Sequence, residues 1–335
     1  MQKAERITLA RKRLASILAA HGVATARTLE QKISDAGPNN QRIDPHILTT
    51  VRNAMIEEGE IVRSPQSGVP WFHLGNASPQ ITAARLAALL PIYKEFNHGN
   101  VSKRVGQTLE IAVYRALMDT EAEFYGRIKD LDQHDDDILY PKEEPPQHIG
   151  KLSLPGDQRL DFLVRHPSAG MLAVECKNVR EWLYPEQREL VEPLGKALLL
   201  NAVPVIIARR IPFVTFKLFN ACGIVFHQTY NQVVPNSIAA LAQRVKHKDL
   251  LGYHDLRIGN QPDVRLVKFI GTNLPGVADD ARARFDANRD LLEAYALGDM
   301  TYQEFAGRLR RRLAGQNEDG DDEDGDDENY DYWDE

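Results

Sequence analysis

Residues 159–178, RLDFLVRHPSAGMLAVECKN, constrain the fold of this 335-residue chain more than any other stretch. Two short apolar runs, FLV and MLAV, flank an HPSAG segment rich in turn formers, which predicts two strands joined as an antiparallel hairpin. Side chains alternate faces along a strand, so Glu175 and Lys177 share one face while Cys176 points to the other. Asp161, at the start of the first strand, then lies across from the Glu175 and Lys177 end of the second. Charged groups in otherwise apolar strands cost free energy unless they are partnered.

Two carboxylates and an ammonium converging in this way suit a hard divalent cation. Mg²⁺ and Mn²⁺ favour oxygen ligands, keep several waters and also contact the phosphate oxygens of a substrate. Lys177 would hold an attacking water or neutralise charge as a phosphorus becomes five-coordinate. The competing reading is a surface hairpin in which Glu175 and Lys177 form an ordinary ion pair of little worth. The apolar run directly before Glu175, together with Asp161, favours a phosphodiester-cutting site.

The flanking sequence extends the pattern. Residues 104–118 read as a helix whose apolar side carries Leu109, Ala112, Val113, Ala116 and Leu117, with Glu110 the single acid inside that run. Packed on the sheet, such a helix directs Glu110 at the same cation; left on the surface, Glu110 is a solvated acid. A helix over 186–201 leads to VPVIIARR, a continuous apolar run suited to a buried central strand. A short helix over 213–222 then leads to GIVFHQTY, another apolar run. The order helix, strand, strand, helix, strand, helix, strand predicts an α/β core with a mixed central sheet flanked by helices.

This pattern resembles the restriction-endonuclease-like superfamily, the PD-(D/E)xK nucleases, over residues 100–235. Asp161 matches the metal-binding acid of the second core strand, Glu175 and Lys177 match the ExK of the third, and Glu110 matches the acid supplied by the first helix. Leu160 stands where the motif's proline often lies. The resemblance implies Mg²⁺-dependent (or Mn²⁺-dependent) hydrolysis of DNA by an activated water, with Glu110, Asp161 and Glu175 holding the metal and Lys177 assisting. Gln187 resembles a polar residue that some members place near the site, and reads equally as a solvated glutamine. A catalytically inactive nuclease-fold DNA-binding or regulatory protein and an RNA-directed nuclease stand as alternatives. A role in restriction, repair or anti-phage defence is open, as is endonuclease against exonuclease action.

Residues 1–78 read as a winged helix-turn-helix domain: three helices, the second capped by Thr25 or Thr28 and the third starting at Pro45, followed by a β-hairpin. In such folds the third helix enters the major groove and the wing touches the backbone, which nominates Arg52, Asn53 and Arg63 as DNA contacts. Glu57 and Glu58 disfavour phosphate at the end of that helix, so a homodimer or protein-docking role is the alternative. Residues 79–99 are a linker helix. The polar, proline-rich stretch 126–150 reads as a long loop near the mouth of the site, with Asp135, Asp136 and Asp137 a solvated charge run rather than metal ligands. Residues 236–315 are expected to form a helical extension with a strand near RLVKFIG and two final helices, the last ending in the basic Arg308, Arg310, Arg311 and Arg312, which complement the helix dipole and would grip a phosphate backbone or pair with the acidic tail.

A net charge of -7 hides an asymmetry. Residues 316–335 hold 12 of the 48 acids and none of the 41 Lys and Arg, which leaves 41 basic and 36 acidic residues, a net of +5, in residues 1–315. The tail is self-repelling and expected to be disordered, serving solubility, mimicking phosphate over a basic groove, or docking a partner through Tyr330, Tyr332 and Trp333. Two cysteines fit reduced buried thiols rather than a disulfide framework. The absence of an apolar N-terminal segment or a membrane-length run predicts a cytoplasmic protein with no membrane partner. No Walker pattern is present, so any ATP-driven movement along DNA would need a partner.

Overall fold

The computed structural model describes residues 2–35, 41–133 and 136–318. Two compact units divide the chain, one made of residues 1–103 and 238–258, the other of residues 104–237 and 259–335. Among the described residues no helix is long and apolar enough to cross a membrane.

The first unit opens with α1 (Lys3–His21), β1 (Ala24–Thr25), α2 (Ala26–Ile33), α3 (Pro45–Glu57), β2 (Ile61–Gln66), β3 (Val69–Leu74) and α4 (Pro79–Phe96). The three strands form an antiparallel sheet in the order β1-β3-β2. Of the two possible caps it is Thr25 that caps α2, its hydroxyl accepting the Thr28 N–H at 3.2 Å. Leu14, Leu18, Leu29, Ile33, Leu48, Val51, Met55 and Phe72 close the core. The β2–β3 turn places Ser67 and Gly68 at φ 53° and 77°, the left-handed pair that matches hairpin twist. Residues 238–258, expected to extend the C-terminal part, belong to this unit: Arg244 in the helix Ala239–Lys246 pairs with Glu95 at 2.9 Å, and Arg85 donates to the Asp249 carbonyl at 2.7 Å.

The second unit contains a five-stranded mixed sheet flanked by helices. Its elements are α5 (Gly99–Met118, within the unit from Arg104), β4 (Phe124–Tyr125), β5 (Arg127–Ile128), β6 (Lys142–Glu143), β7 (His148–Ile149), β8 (Leu152–Ser153), β9 (Phe162–His166), β10 (Gly170–Lys177), α6 (Arg188–Leu199), β11 (Val203–Ala208), α7 (Phe213–Ala221) and β12 (Val225–Gln228). The sheet order is β12-β11-β10-β9-β4; β10, β11 and β12 run parallel, and β9 and β4 antiparallel to their neighbours. The expected hairpin is present, with Val174 facing Phe162 and Gly170 facing His166. All six residues of β11 are buried, as its unbroken apolar run demands. Leu172, Val174, Val203, Val205 and Ile207 face α5 and the helix Leu274–Ala287, while Ile206 and Ala208 face α6 and α7. Each such Val, Leu or Ile stabilises the fold by about 1.5–3 kcal/mol when fully buried.

Three expectations need correction. RLVKFIG is helical: Asp263 caps Val264–Lys268 by accepting the Leu266 N–H at 2.8 Å, a wider turn at Phe269–Asn273 follows, and Leu266, Phe269 and Ile270 sink together into the core. The C-terminal part forms three further helices rather than two, because Asn288 separates Leu274–Ala287 from Arg289–Leu297 before Tyr302–Leu313. Asp136 is not solvated but buried, holding the Tyr140 hydroxyl at 2.6 Å, Asn260 at 2.9 Å and Asn236 at 3.1 Å. Asp137 is exposed. At the basic end of the last helix, Arg312 pairs with Asp290 at 2.6 Å and with Glu318, at the start of the acidic tail, at 2.6 Å. Asp135 and tail residues 319–335, with Tyr330, Tyr332 and Trp333, lie outside the described residues.

Candidate active site

The carboxyl end of β10 gathers the charged residues. Glu175 and Lys177 share the face that looks to α6, and Cys176 packs on the opposite face against the core beneath α5. Asp161 directly precedes β9, and its Oδ2 accepts the Cys176 N–H at 2.7 Å, which fixes the carboxylate across the end of the hairpin. Glu110 reaches the same end from α5.

Two lysines that the linear pattern did not single out complete the cluster. Lys142, on β6, sets its Nζ 2.7 Å from Glu110 Oε2, 3.4 Å from Asp161 Oδ1 and 3.7 Å from Glu144 Oε2, over the ring of Phe162. Lys196, on α6, sets its Nζ 2.6 Å from Glu175 Oε1, while Lys177 Nζ lies 3.4 Å from Glu175 Oε2. Lys196 also donates to the Arg159 carbonyl at 2.6 Å. The strap carrying Lys142 is held to α5 by a reciprocal pair, the Gln107 amide donating to the Tyr140 carbonyl and accepting the Tyr140 N–H, both at 2.8 Å. Asn178 pins the chain just past β10, donating to the Val105 and Val233 carbonyls at 2.5 and 2.7 Å and accepting the Val233 N–H at 3.1 Å.

The electrostatics of the cluster follow from burial and mutual repulsion. Glu175 is 3% exposed; burial first, and then the Asp161 charge, push its carboxyl up to about 7, against the pull of Lys177 and Lys196. Burial and Asp161 also raise Glu110, opposed by Lys142. For Lys142 and Lys177 burial lowers the ammonium pKa, but the carboxylates around each outweigh it and the net shift is upward. Burial raises the Cys176 thiol well above its ordinary value, which makes it inert as a nucleophile.

The donor set suits a hard cation. All its side-chain acceptors are carboxylate oxygens, and the Lys142 ammonium already occupies a cation position between Glu110 and Asp161. Magnesium sites commonly use one or two carboxylates with waters completing the shell, and Glu110 and Asp161 are the two carboxylates here that could hold such an ion. Glu175 is engaged by two lysines, and among the described residues no three Asp, Glu, His or Cys side chains form a ready ligand set.

The other nominated residues are placed differently. Gln187 sits at the N-terminus of α6, its side-chain oxygen accepting the Tyr184 N–H at 3.2 Å. Arg52 is 8% exposed, its guanidinium 4.7 Å from the Phe72 ring centre, and burial lowers its pKa; a side chain folded into the core in this way is not displayed to a groove. Asn53 and Arg63 are exposed. Two cavities of the second unit, of about 520 and 440 Å³, are lined by none of Glu110, Asp161, Glu175 and Lys177, which gather at the carboxyl end of β10. Comparisons with protein-family models, with curated proteins and with solved structures found no match.

Proposed function

We propose that the second unit is a Mg²⁺- or Mn²⁺-dependent nuclease of the restriction-endonuclease-like type that hydrolyses DNA phosphodiester bonds, and that the first unit is a winged-helix module for DNA or protein docking. The meeting of Glu110, Asp161, Glu175 and Lys177 at one end of the hairpin carries this reading. A divalent cation, when bound, supplies Lewis acidity and a water of lowered pKa. Glu110 and Asp161 would hold it, with Cys176 N–H fixing the Asp161 carboxylate. Glu175, poised near neutrality between two lysines, can accept a proton from water, and Lys177 beside it offers positive charge to the phosphate. Asn53 and Arg63 remain the first unit's proposed DNA contacts. In the assay that tests the reading, purified protein cuts linear or circular DNA in Mg²⁺ or Mn²⁺ and chelation stops it; product lengths then separate internal from end-dependent cutting. Metal-independent cutting, or none on any DNA, overturns it.

One observation favours a second reading, a nuclease-fold DNA-binding protein that does not cut: Lys142, Lys177 and Lys196 already balance the three carboxylates. Lys142→Met tests whether that ammonium stands in the cation's place. If a cation must displace the Lys142 ammonium, the variant is expected to bind Mn²⁺ about tenfold more tightly by calorimetry, a difference of about 1.4 kcal/mol. Its metal-free form should also melt earlier, since Glu110 and Asp161 lose their shared counter-charge. Equal metal affinity in both proteins would place the cation elsewhere.

A further inference from the structure

Lys142 reaches Glu110 and Asp161 from the two-residue β6, which is too short to fix a long flexible side chain by itself. The fixing comes from Asp136. Its Oδ1 accepts the Tyr140 hydroxyl at 2.6 Å and the Asn260 amide at 2.9 Å, and its Oδ2 accepts the Asn236 side-chain and backbone N–H groups at 3.1 and 3.4 Å. The Tyr140 oxygen in turn accepts the Asp136 N–H at 3.2 Å. Burial first, and then the bond to Asp136, push the Tyr140 phenol up to about 12, so it stays a donor across the ordinary pH range. Tyr140 is also the residue whose backbone Gln107 clasps, and only Pro141 separates it from Lys142.

This arrangement calls for an acid rather than its amide, because an ionised carboxylate only accepts. In Asp136→Asn one oxygen is exchanged for an NH₂ group. Whichever way that amide turns, the NH₂ faces either the Tyr140 hydroxyl, whose oxygen already accepts the residue 136 N–H, or the Asn236 backbone N–H. A donor set against a donor costs free energy and loosens the contact. The backbone tolerates the exchange: Asp136 lies at φ 59°, a left-handed conformation that Asp and Asn both adopt, so the substitution alters hydrogen bonding and spares the turn.

We propose that Asp136 is a positioning residue for the metal site: through Tyr140 it keeps the Lys142 ammonium between Glu110 and Asp161, in the place of the divalent cation, and so sets how readily the ion enters. The inference rests on the reading of Glu110 and Asp161 as the cation's ligands. An ammonium held in place competes with the ion more strongly than one on a loose strap, because the fold has already met the cost of ordering it. Loosening the strap therefore favours the ion.

The test is a double-mutant cycle on the full-length protein, read as Mn²⁺ affinity by calorimetry so that no cutting is needed. Asp136→Asn is expected to bind Mn²⁺ about fivefold more tightly than wild type, and Tyr140→Phe, which removes only the hydroxyl, about threefold. In the Lys142→Met background, where no ammonium is left to position, Asp136→Asn should change the affinity less than about twofold. Gly68→Ala, which strains a turn of the first unit, is expected to bind Mn²⁺ as wild type does, which separates positioning from a general loss of stability. Should Asp136→Asn not fold, Tyr140→Phe carries the same comparison. Unchanged or weaker Mn²⁺ binding in these variants, with tighter binding in Lys142→Met, overturns the positioning role and leaves the metal site intact. An equal gain from Asp136→Asn with and without Lys142 also overturns it, since the effect would not pass through the ammonium. Equal affinity in wild type and Lys142→Met overturns the placement of the cation and this inference together.

Discussion

Asp161→Ala is expected to reduce DNA cutting at least about 1,000-fold with the fold retained, because it removes one of the two carboxylates that would hold the cation and generate the nucleophile. The carboxylate has three connections: its Oδ2 accepts the Cys176 N–H, its Oδ1 faces the Lys142 ammonium, and its charge raises the carboxyls of Glu110 and Glu175. Removing it leaves the Cys176 N–H without this acceptor, at a cost of about 1–3 kcal/mol. The repulsion relieved at Glu110 and Glu175 offsets part of that, so the net loss in a urea melt should stay near or below about 2 kcal/mol. Asp161→Asn sharpens the test. The Asn oxygen can still accept the Cys176 N–H, so stability should recover toward wild type, yet the amide carries no charge for a cation and cutting should remain abolished. Wild-type cutting rates in both variants would remove Asp161 from the chemistry.

The half of the site that lies on the hairpin was legible because period-two alternation is a local rule. Glu175 and Lys177 had to share a face, Cys176 had to point away, and the HPSAG turn had to bring the start of β9 to the end of β10. Glu110 was legible as an acid interrupting an apolar helical run. Lys142 was not, because the strap that carries it, between two-residue strands, has no periodicity, and its position depends on the Gln107–Tyr140 bonds and on Asp136, which are tertiary contacts. Lys196 carries a local signal. It sits between Gly195 and Ala197 on the helix whose Pro193, Leu194, Ala197 and Leu198 are buried, so a lysine there must find a partner at the sheet end.

The same contrast runs through the fold. The β9–β10 hairpin, β11 and the helices between β10 and β12 each carry enough residues for a pattern to declare itself. β4 has only two residues, and pairs with β9 because tertiary packing brings it there. RLVKFIG mixes β-branched and aromatic residues in a way that mimics a strand; the deciding signal was Asp263 three residues before Leu266, an N-cap followed by apolar positions at helical spacing. Arg52 shows the limit of reading a docking helix from residue type alone. A guanidinium next to an aromatic strand residue can satisfy itself by stacking inward, and Phe72 supplies the ring.

Gly126→Ala is expected to damage the site from a distance, destabilising the protein by about 3 kcal/mol and slowing cutting 10- to 100-fold per folded molecule. Gly126 joins β4 to β5 at φ 103°, a backbone conformation that an L side chain rarely adopts. A Cβ built there would stand 2.7 Å from the Asp161 carbonyl oxygen, 2.8 Å from Phe162 Cδ1 and 3.4 Å from Pro145 Cγ. The nearest of these is backbone, so the chain at Asp161 must move, and the Asp161 carboxylate moves with it relative to the Cys176 N–H and Lys142. A misplacement of about 1 Å at a reacting centre costs on the order of 100-fold. Gly68→Ala is the matched control. Gly68 has φ 77° with nothing within 4 Å of the added Cβ, so it carries a backbone penalty of about 1–2 kcal/mol without a clash and without a route to Asp161. Urea melts of both variants, with cutting rates normalised to the folded fraction, separate the two effects. An equal loss of rate in both would mean that general destabilisation, rather than the position of Asp161, limits the chemistry.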